Sequence, residues 1–189
     1  MKRALCTLMI MLLCQMAGIG EAARAETEAV PQDGGVEIVP AQLTTEAPDA
    51  QSGVLLGFED GFALELPAGW KRYVPDAEMR ENDISYCLSD AGGTRWLYIQ
   101  KWESDCPDIE ALNRQIAEEA QPRTSGVYNY NGVDFVVYDL DAGDVSCCAT
   151  LLNGEALNFA FTPQSDRDYM LMAIKIIGSF SIISDTASD

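Results

Sequence analysis

Apolar residues alternate with polar or small ones along Phe62-Ala63-Leu64-Glu65-Leu66, the pattern of a strand with one buried face. Pro67-Ala68-Gly69 then turns the chain, and Trp70 opens a further extended piece. Ile84, Tyr86 and Leu88 alternate in the same way. Ala91-Gly92-Gly93 is a turn and Thr94 to Glu103 a long strand, so the two strands are predicted to form a hairpin. After Pro107 the period changes. Ile109, Leu112, Ile116 and Ala120 make the apolar stripe of a helix, with Asp105 as N-cap, Asp108 and Glu110 in its positive first turn, and Pro122 as its stop. Strands follow at Val127–Tyr130, Val133–Leu140, Val145–Leu152 and Ala156–Thr162. The turns between them are Asn131-Gly132, Asp141-Ala142-Gly143-Asp144 and Asn153-Gly154, which predicts an antiparallel meander. A second helix is predicted from Asp166 to Ile177, capped by Ser165, with Met170, Ala173, Ile174 and Ile177 buried and Gly178 at its end. Phe180–Ile183 is a last short extended piece, and no segment repeats another.

Runs of antiparallel strands with separate helices define an α+β domain, with helices packed on a central antiparallel sheet. On the long strand, Trp96, Tyr98 and Trp102 share one face while Leu97 and Ile99 occupy the other. A strand apolar on both faces is covered on both, which predicts three layers rather than two.

This pattern resembles the PsbP-like superfamily, an α/β/α sandwich that includes small bacterial exported domains. The residues that carry the resemblance are Phe62-Ala63-Leu64-Glu65-Leu66-Pro67-Ala68-Gly69-Trp70, the helix after the long strand, Asn131-Gly132-Val133-Asp134-Phe135, and the closing helix with Gly178-Ser179-Phe180. They are turn and packing motifs spread over nearly the whole domain. Members of the family are mostly non-enzymatic. Some resemble assembly factors of photosynthetic complexes, and one binds a nuclear-transport GTPase. The resemblance implies the fold and a binding rather than a catalytic role. None of the family's binding residues maps onto this chain.

The N-terminal region has the order of a secretory signal peptide. Lys2 and Arg3 precede an apolar run from Ala4 to Leu13, and Ala23-Arg24-Ala25 supplies an A-x-A cleavage site. The expected organisation is a signal at 1–25, an acidic linker at 26–53, one domain at 54–183 and a polar tail at 184–189. The alternative is a lipoprotein anchored at Cys14, which Leu13 disfavours because a small residue is wanted before the lipidated cysteine. The linker has Pro31, Pro40 and Pro48, no aromatic residue and no basic one, so ordering it would bury little. The apolar run is too short to span a bilayer, which takes about 20 residues. The expected location is the exterior or the cell envelope, with no integral membrane span in the mature chain.

The chain carries 12 basic and 30 acidic residues, a formal charge of −18. Loss of 1–25 would remove Lys2, Arg3 and Arg24 against Glu21 alone, leaving the remainder more acidic still. Such a chain is repelled by nucleic acid and by anionic membranes. The expected partner is a protein or a cell-envelope component.

Outside the signal lie Cys87, Cys106, Cys147 and Cys148. An even count in an exported chain predicts disulfides. Adjacent Cys147 and Cys148 point to opposite faces of a strand, and a bridge between them would need a strained turn. Cys87 and Cys106 flank the long strand at opposite ends, too far apart to bond. Each is therefore expected to pair with one member of the 147/148 pair, in either combination. Structural bridges or buried thiols are favoured over a redox centre, because C-x-x-C is absent.

The chain contains no histidine. That removes Ser-His-Asp and Cys-His catalysis and any histidine-bearing zinc site. Two carboxylates suffice for a glycosidase, but no acidic residue has the apolar sequence setting that a raised pKa needs, so a carboxylate-based hydrolase is the least favoured reading. Asp139, Asp141 and Asp144 surround one turn; calcium binding is possible chemistry there, but ordinary turn formation explains them. Trp96, Tyr98 and Trp102 could stack on a sugar or anchor a ligand if exposed, and are core if covered. Arg95 and Lys101 lie on the face opposite to that stripe. The expected function is non-catalytic binding of a protein partner without a cofactor. The alternative is a small-ligand or carbohydrate-binding domain that uses the aromatic stripe.

Overall fold

The computed structural model describes residues 53–140 and 143–183. The expected signal, the alternative lipidation position Cys14, all of the expected linker but Gly53, Asp141 and the expected tail lie outside them.

Among the described residues ten strands and three helices follow in the order β1 (Val54–Phe58), β2 (Phe62–Leu66), β3 (Lys71–Tyr73), α1 (Ala77–Glu81), β4 (Ile84–Ser89), β5 (Trp96–Glu103), α2 (Ile109–Ala120), β6 (Thr124–Tyr130), β7 (Val133–Asp139), β8 (Ser146–Leu152), β9 (Glu155–Thr162), α3 (Arg167–Gly178) and β10 (Ser181–Ile182). Seven strands form one antiparallel sheet in the order β3-β4-β5-β9-β8-β7-β6. β1, β2 and β10 form a second, small sheet.

The meander β6 to β9 forms as its turn residues dictate. Asn131-Gly132 and Asn153-Gly154 both have positive φ at both residues, the geometry a two-residue hairpin demands and that Asn-Gly adopts with least strain. β4 and β5 make the expected hairpin, with a register shift between Ile84 and Tyr86. The two runs meet along one seam, where β5 pairs with β9 from Trp96↔Thr162 to Glu103↔Glu155.

Both faces of the large sheet are buried along its central strands. On one, Leu88, Leu97, Ile99, Phe135, Phe159 and Phe161 pack against β2 and against Tyr169, Ile176 and Ile177 of α3. Phe180 lies among Phe62, Phe135 and Phe159, with ring centroids 5.4–5.9 Å away. On the other face, Cys87, Tyr98, Val136, Tyr138, Cys147 and Ala160 pack against Leu112, Ile116 and Ala120 of α2. The α+β class and three layers are as expected. One outer layer, however, combines α3 with the small sheet, because Phe58, Phe62, Leu64 and Leu66 present their own apolar face to the same cluster.

The helix starts differ from expectation. Asp108, not Asp105, caps α2, because its carboxylate accepts from Ala111 N at 2.8 Å. Asp166, not Ser165, caps α3, accepting from Tyr169 N at 3.0 Å. Ser165 is held instead by Asp144, whose carboxylate takes both its N–H and its hydroxyl. The buried stripe of α3 is Tyr169, Ala173, Ile176 and Ile177. Tyr169 sets this phase. It is fully buried because its hydroxyl donates to Trp96 O at 2.7 Å, and Ile174 is thereby turned outward to 53% exposure. Helix α1 was not expected. It is one short turn with no buried residue, capped by Asp76, and so has no apolar period to read.

Candidate functional site

The aromatic stripe lies on the face its alternation predicts, towards α2. Tyr98 is buried at 5% exposure, and Trp96 and Trp102 are half-buried. Trp96 stacks on Tyr98 with centroids 5.9 Å apart and meets Tyr73 at 5.3 Å. Its indole N–H donates to Gly93 O. The three residues therefore do not form one open platform; Trp102 packs separately against the same core cluster.

No disulfide joins the four described cysteines. The expected pairings meet a geometric obstacle. Cys87, Tyr98, Ala160 and Cys147 stand in one row across four strands. Three strand spacings separate Cys87 from Cys147, about 14 Å, against the roughly 7 Å Cα limit of a disulfide. Cys148 points to the opposite face and packs in the other cluster. Cys106 lies ahead of α2, where its thiol donates to Gln115 Oε1 at 3.1 Å. Burial pushes the Cys87 thiol up to about 12, which suits packing rather than nucleophilic chemistry.

The acidic turn is used internally. Asp139 accepts from Ser146 and Thr124 and pairs with Arg123, and Asp144 holds Ser165. Among the described residues no group of three or more metal-ligating side chains is placed to hold an ion.

A more open constellation lies at the β3–β4 end of the large sheet. The β1–β2 turn brings Asp60 over the sheet, where Tyr86 Oη donates to it at 2.6 Å and Lys101 Nζ at 2.5 Å. Lys101 also pairs with Glu155 at 3.5 Å, and the Arg72 guanidinium lies 4.7 Å from the Tyr86 ring centre. Burial alone would raise the Asp60 carboxyl. The hydrogen bonds from Lys101 and Tyr86, with the Lys101 and Arg72 charges, outweigh it and hold the carboxyl below its ordinary value. Beside this network is a cavity of about 310 Å³ lined by Pro75, Arg80, Asp83, Ile84, Ser85 and Lys101. Asp83 takes a left-handed φ of 60° between α1 and β4, and burial raises its carboxyl. No motif marks these residues in the sequence, because four separate segments supply them.

At the other end of the large sheet, β6 is an edge. It pairs with β7 through seven residues without a register shift, and its outer side has no strand neighbour among the described residues. Its sequence, Thr-Ser-Gly-Val-Tyr-Asn-Tyr, carries no charge and no proline. Tyr128 is 56% exposed and Val127 36%. Gly126 has a local reason: a Cβ there would stand 3.1 Å from the Tyr128 ring, so glycine lets that ring lie along the strand. Around β6, α2 bears Glu110, Glu118 and Glu119 against Arg114 alone, and β7 bears Asp134 and Asp139.

Among the described residues no helix is long and apolar enough to cross a membrane. No protein-family model matches the chain, and no curated protein matches it. Among solved structures, the chain is similar to the cyanobacterial PsbP protein (CyanoP) from Synechocystis, at 13% identity and a TM-score of 0.48, over 74% of this chain and 97% of that one. It is also similar to a protein from Bacteroides thetaiotaomicron, at 11% identity and a TM-score of 0.47, over 74% of this chain and 52% of that one. The chain thus spans about half of the Bacteroides protein. Both likenesses are of fold alone, and they bear on no activity or partner.

Proposed function

We propose that the chain is an exported, non-catalytic domain that binds a protein partner by taking an extended segment of it onto β6. The observation that carries this reading is the outer edge of β6, which has no strand neighbour among the described residues. Natural edge strands are blunted with lysine, proline, a bulge or a covering element, since their free N–H and C=O groups otherwise accept a further strand. β6 is seven residues long and shows none of the first three. Strand addition draws affinity from main-chain hydrogen bonds and specificity from side chains on either face of the strand, here Val127 on one and Tyr128 on the other. The acids of α2 and β7 favour a partner segment bearing Lys or Arg. A second copy of the chain is disfavoured, because each copy carries a formal charge of −18.

The test compares wild type with Val127→Lys, which places a guarding charge on the edge. A protein captured from the producing cell by wild type should be lost by the variant. In its complex with wild type, the amides of Thr124–Tyr130 should gain protection from hydrogen exchange. A partner held equally by both forms, with no added protection on β6, would overturn the reading. Detection of a chain starting at Glu26 outside the cell tests the export part.

A further inference from the structure

Two opposite charges line one cavity without meeting. Arg80 lies on α1 and Asp83 just beyond it, and both border the hollow that Pro75, Ile84, Ser85 and Lys101 complete. Among the described residues no ion pair joins Arg80 to Asp83, and none reaches either from elsewhere. Lys101 differs, since Asp60 and Glu155 already compensate its charge. Asp83 is held from both sides: its N–H donates to Arg80 O and its carbonyl accepts from Lys101 N, each at 3.1 Å. Burial disfavours its charged form, and no neighbouring cation offsets this. Arg80 spends one nitrogen on Pro75 O at 2.6 Å, which anchors the guanidinium and leaves its other donors available. The register shift between Ile84 and Tyr86 releases Ser85 from regular pairing at the cavity wall.

A simple anion would meet the Asp83 carboxylate, and a simple cation would meet Arg80. A ligand that carries both charges satisfies both. The hollow, about 310 Å³ in volume, is open to solvent on one side and suits only a small ligand held by its charges, with Pro75 and Ile84 as apolar wall. We propose that this cavity binds a small zwitterion of the α-amino-acid class, with its ammonium on Asp83, its carboxylate on Arg80, and the Ser85 hydroxyl as a further polar partner. The site is remote in the sheet order from β6, and it stands or falls independently of strand addition.

The test is amide-resolved NMR on the isotope-labelled chain, titrated with L-alanine and L-valine, with ethylamine and propionate as single-charge controls. The amino acids should shift the amides of Arg80, Asp83 and Ser85 saturably. Each control should bind about tenfold or more weakly, because one charged hydrogen-bonded contact is lost. Asp83→Asn and Arg80→Gln should each weaken amino-acid binding by a similar factor. Asn tolerates the left-handed backbone and Gln the helix, so thermal melts should show both variants folded. Absence of saturable shifts into the millimolar range overturns the proposal. So does equal binding of either control, or binding that survives both substitutions.

Discussion

Asn158 offers the sharpest test of how the large sheet is held together. It is fully buried on β9, yet its amide is satisfied on both ends. Its Nδ2 donates to Gln100 Oε1 at 2.9 Å, and its Oδ1 accepts from Tyr138 Oη at 3.1 Å. Gln100 Nε2 in turn donates to Asn82 O at 3.2 Å. Asn158→Ala removes two hydrogen bonds, each a net contribution of about 1 kcal/mol. It also leaves the buried Gln100 carbonyl without that donor, at a cost of about 1–3 kcal/mol. The expected loss is about 3–5 kcal/mol, seen in urea unfolding as a lower midpoint with an unchanged slope. A loss of about 3 kcal/mol lowers Tm by roughly 10 °C for a domain of this size. A double-mutant cycle with Gln100→Ala should show a coupling of about 0.5–3 kcal/mol, because the two amides touch. Joint replacement by Gln100→Met and Asn158→Leu should recover only part of the loss, since no unmatched amide remains between them but the bonds from Tyr138 Oη and to Asn82 O are still removed. A single-variant loss below about 1 kcal/mol, or strict additivity in the cycle, would falsify the reading that the network is a closed unit.

Three further outcomes are expected. Asp60→Asn should destabilise at neutral pH by about 1.5–3 kcal/mol, the range for a hydrogen-bonded charge. The native carboxyl sits below its ordinary 3.8, so its contribution is present above that value and fades as pH falls through the lower native value; stability measured against pH should show the two forms converging in acid. Asp83→Asn should have the opposite sign. Its carboxyl is raised in the native state, so its charge opposes folding as pH rises through that higher value; the variant should unfold at higher urea at neutral pH, and the gain should vanish well below pH 3.8. Maleimide labelling without reductant should add to all four domain cysteines in denaturant, whereas in the folded protein mass analysis should find Cys106 modified first, ahead of buried Cys87 and Cys147. Two pairs of protected thiols in denaturant would show bridges that the sheet geometry does not allow.

The sequence made local structure legible where turn chemistry and period agreed. The meander from β6 to β9 is written in two Asn-Gly pairs, and the faces of β5 in its alternation. The helix caps went astray by one to three residues because several acids and a serine competed for each start. Only the tertiary partner of Ser165, the carboxylate of Asp144, decides the second case. β1, β2 and β10 could not be grouped from sequence, since their pairing joins Phe62 with Ile182 across most of the domain. The candidate cavity carried no motif: Pro75, Arg80, Asp83, Ile84 and Ser85 lie close in sequence, but the short helix among them has no apolar period and Lys101 joins them only through the β4–β5 pairing. Nothing in the sequence marks Gln100 and Asn158 as partners, because only the β5–β9 register places them opposite one another. Export and partner lie on a different level, as neither is a property of packing.

The seam between β5 and β9 has a kinetic consequence. β4 with β5, and β6 through β9, each close over short turns and can form early. Their union must bring together strands separated by about fifty residues, and loop closure of that length opposes pairing until many contacts form at once. Collapse of the two halves onto one another is therefore the costly step on the way to the native state. Until it is complete, the facing sides of β5 and β9 are themselves unpaired edges, which gives the newly made chain a transient stickiness along strands that are interior in the finished domain.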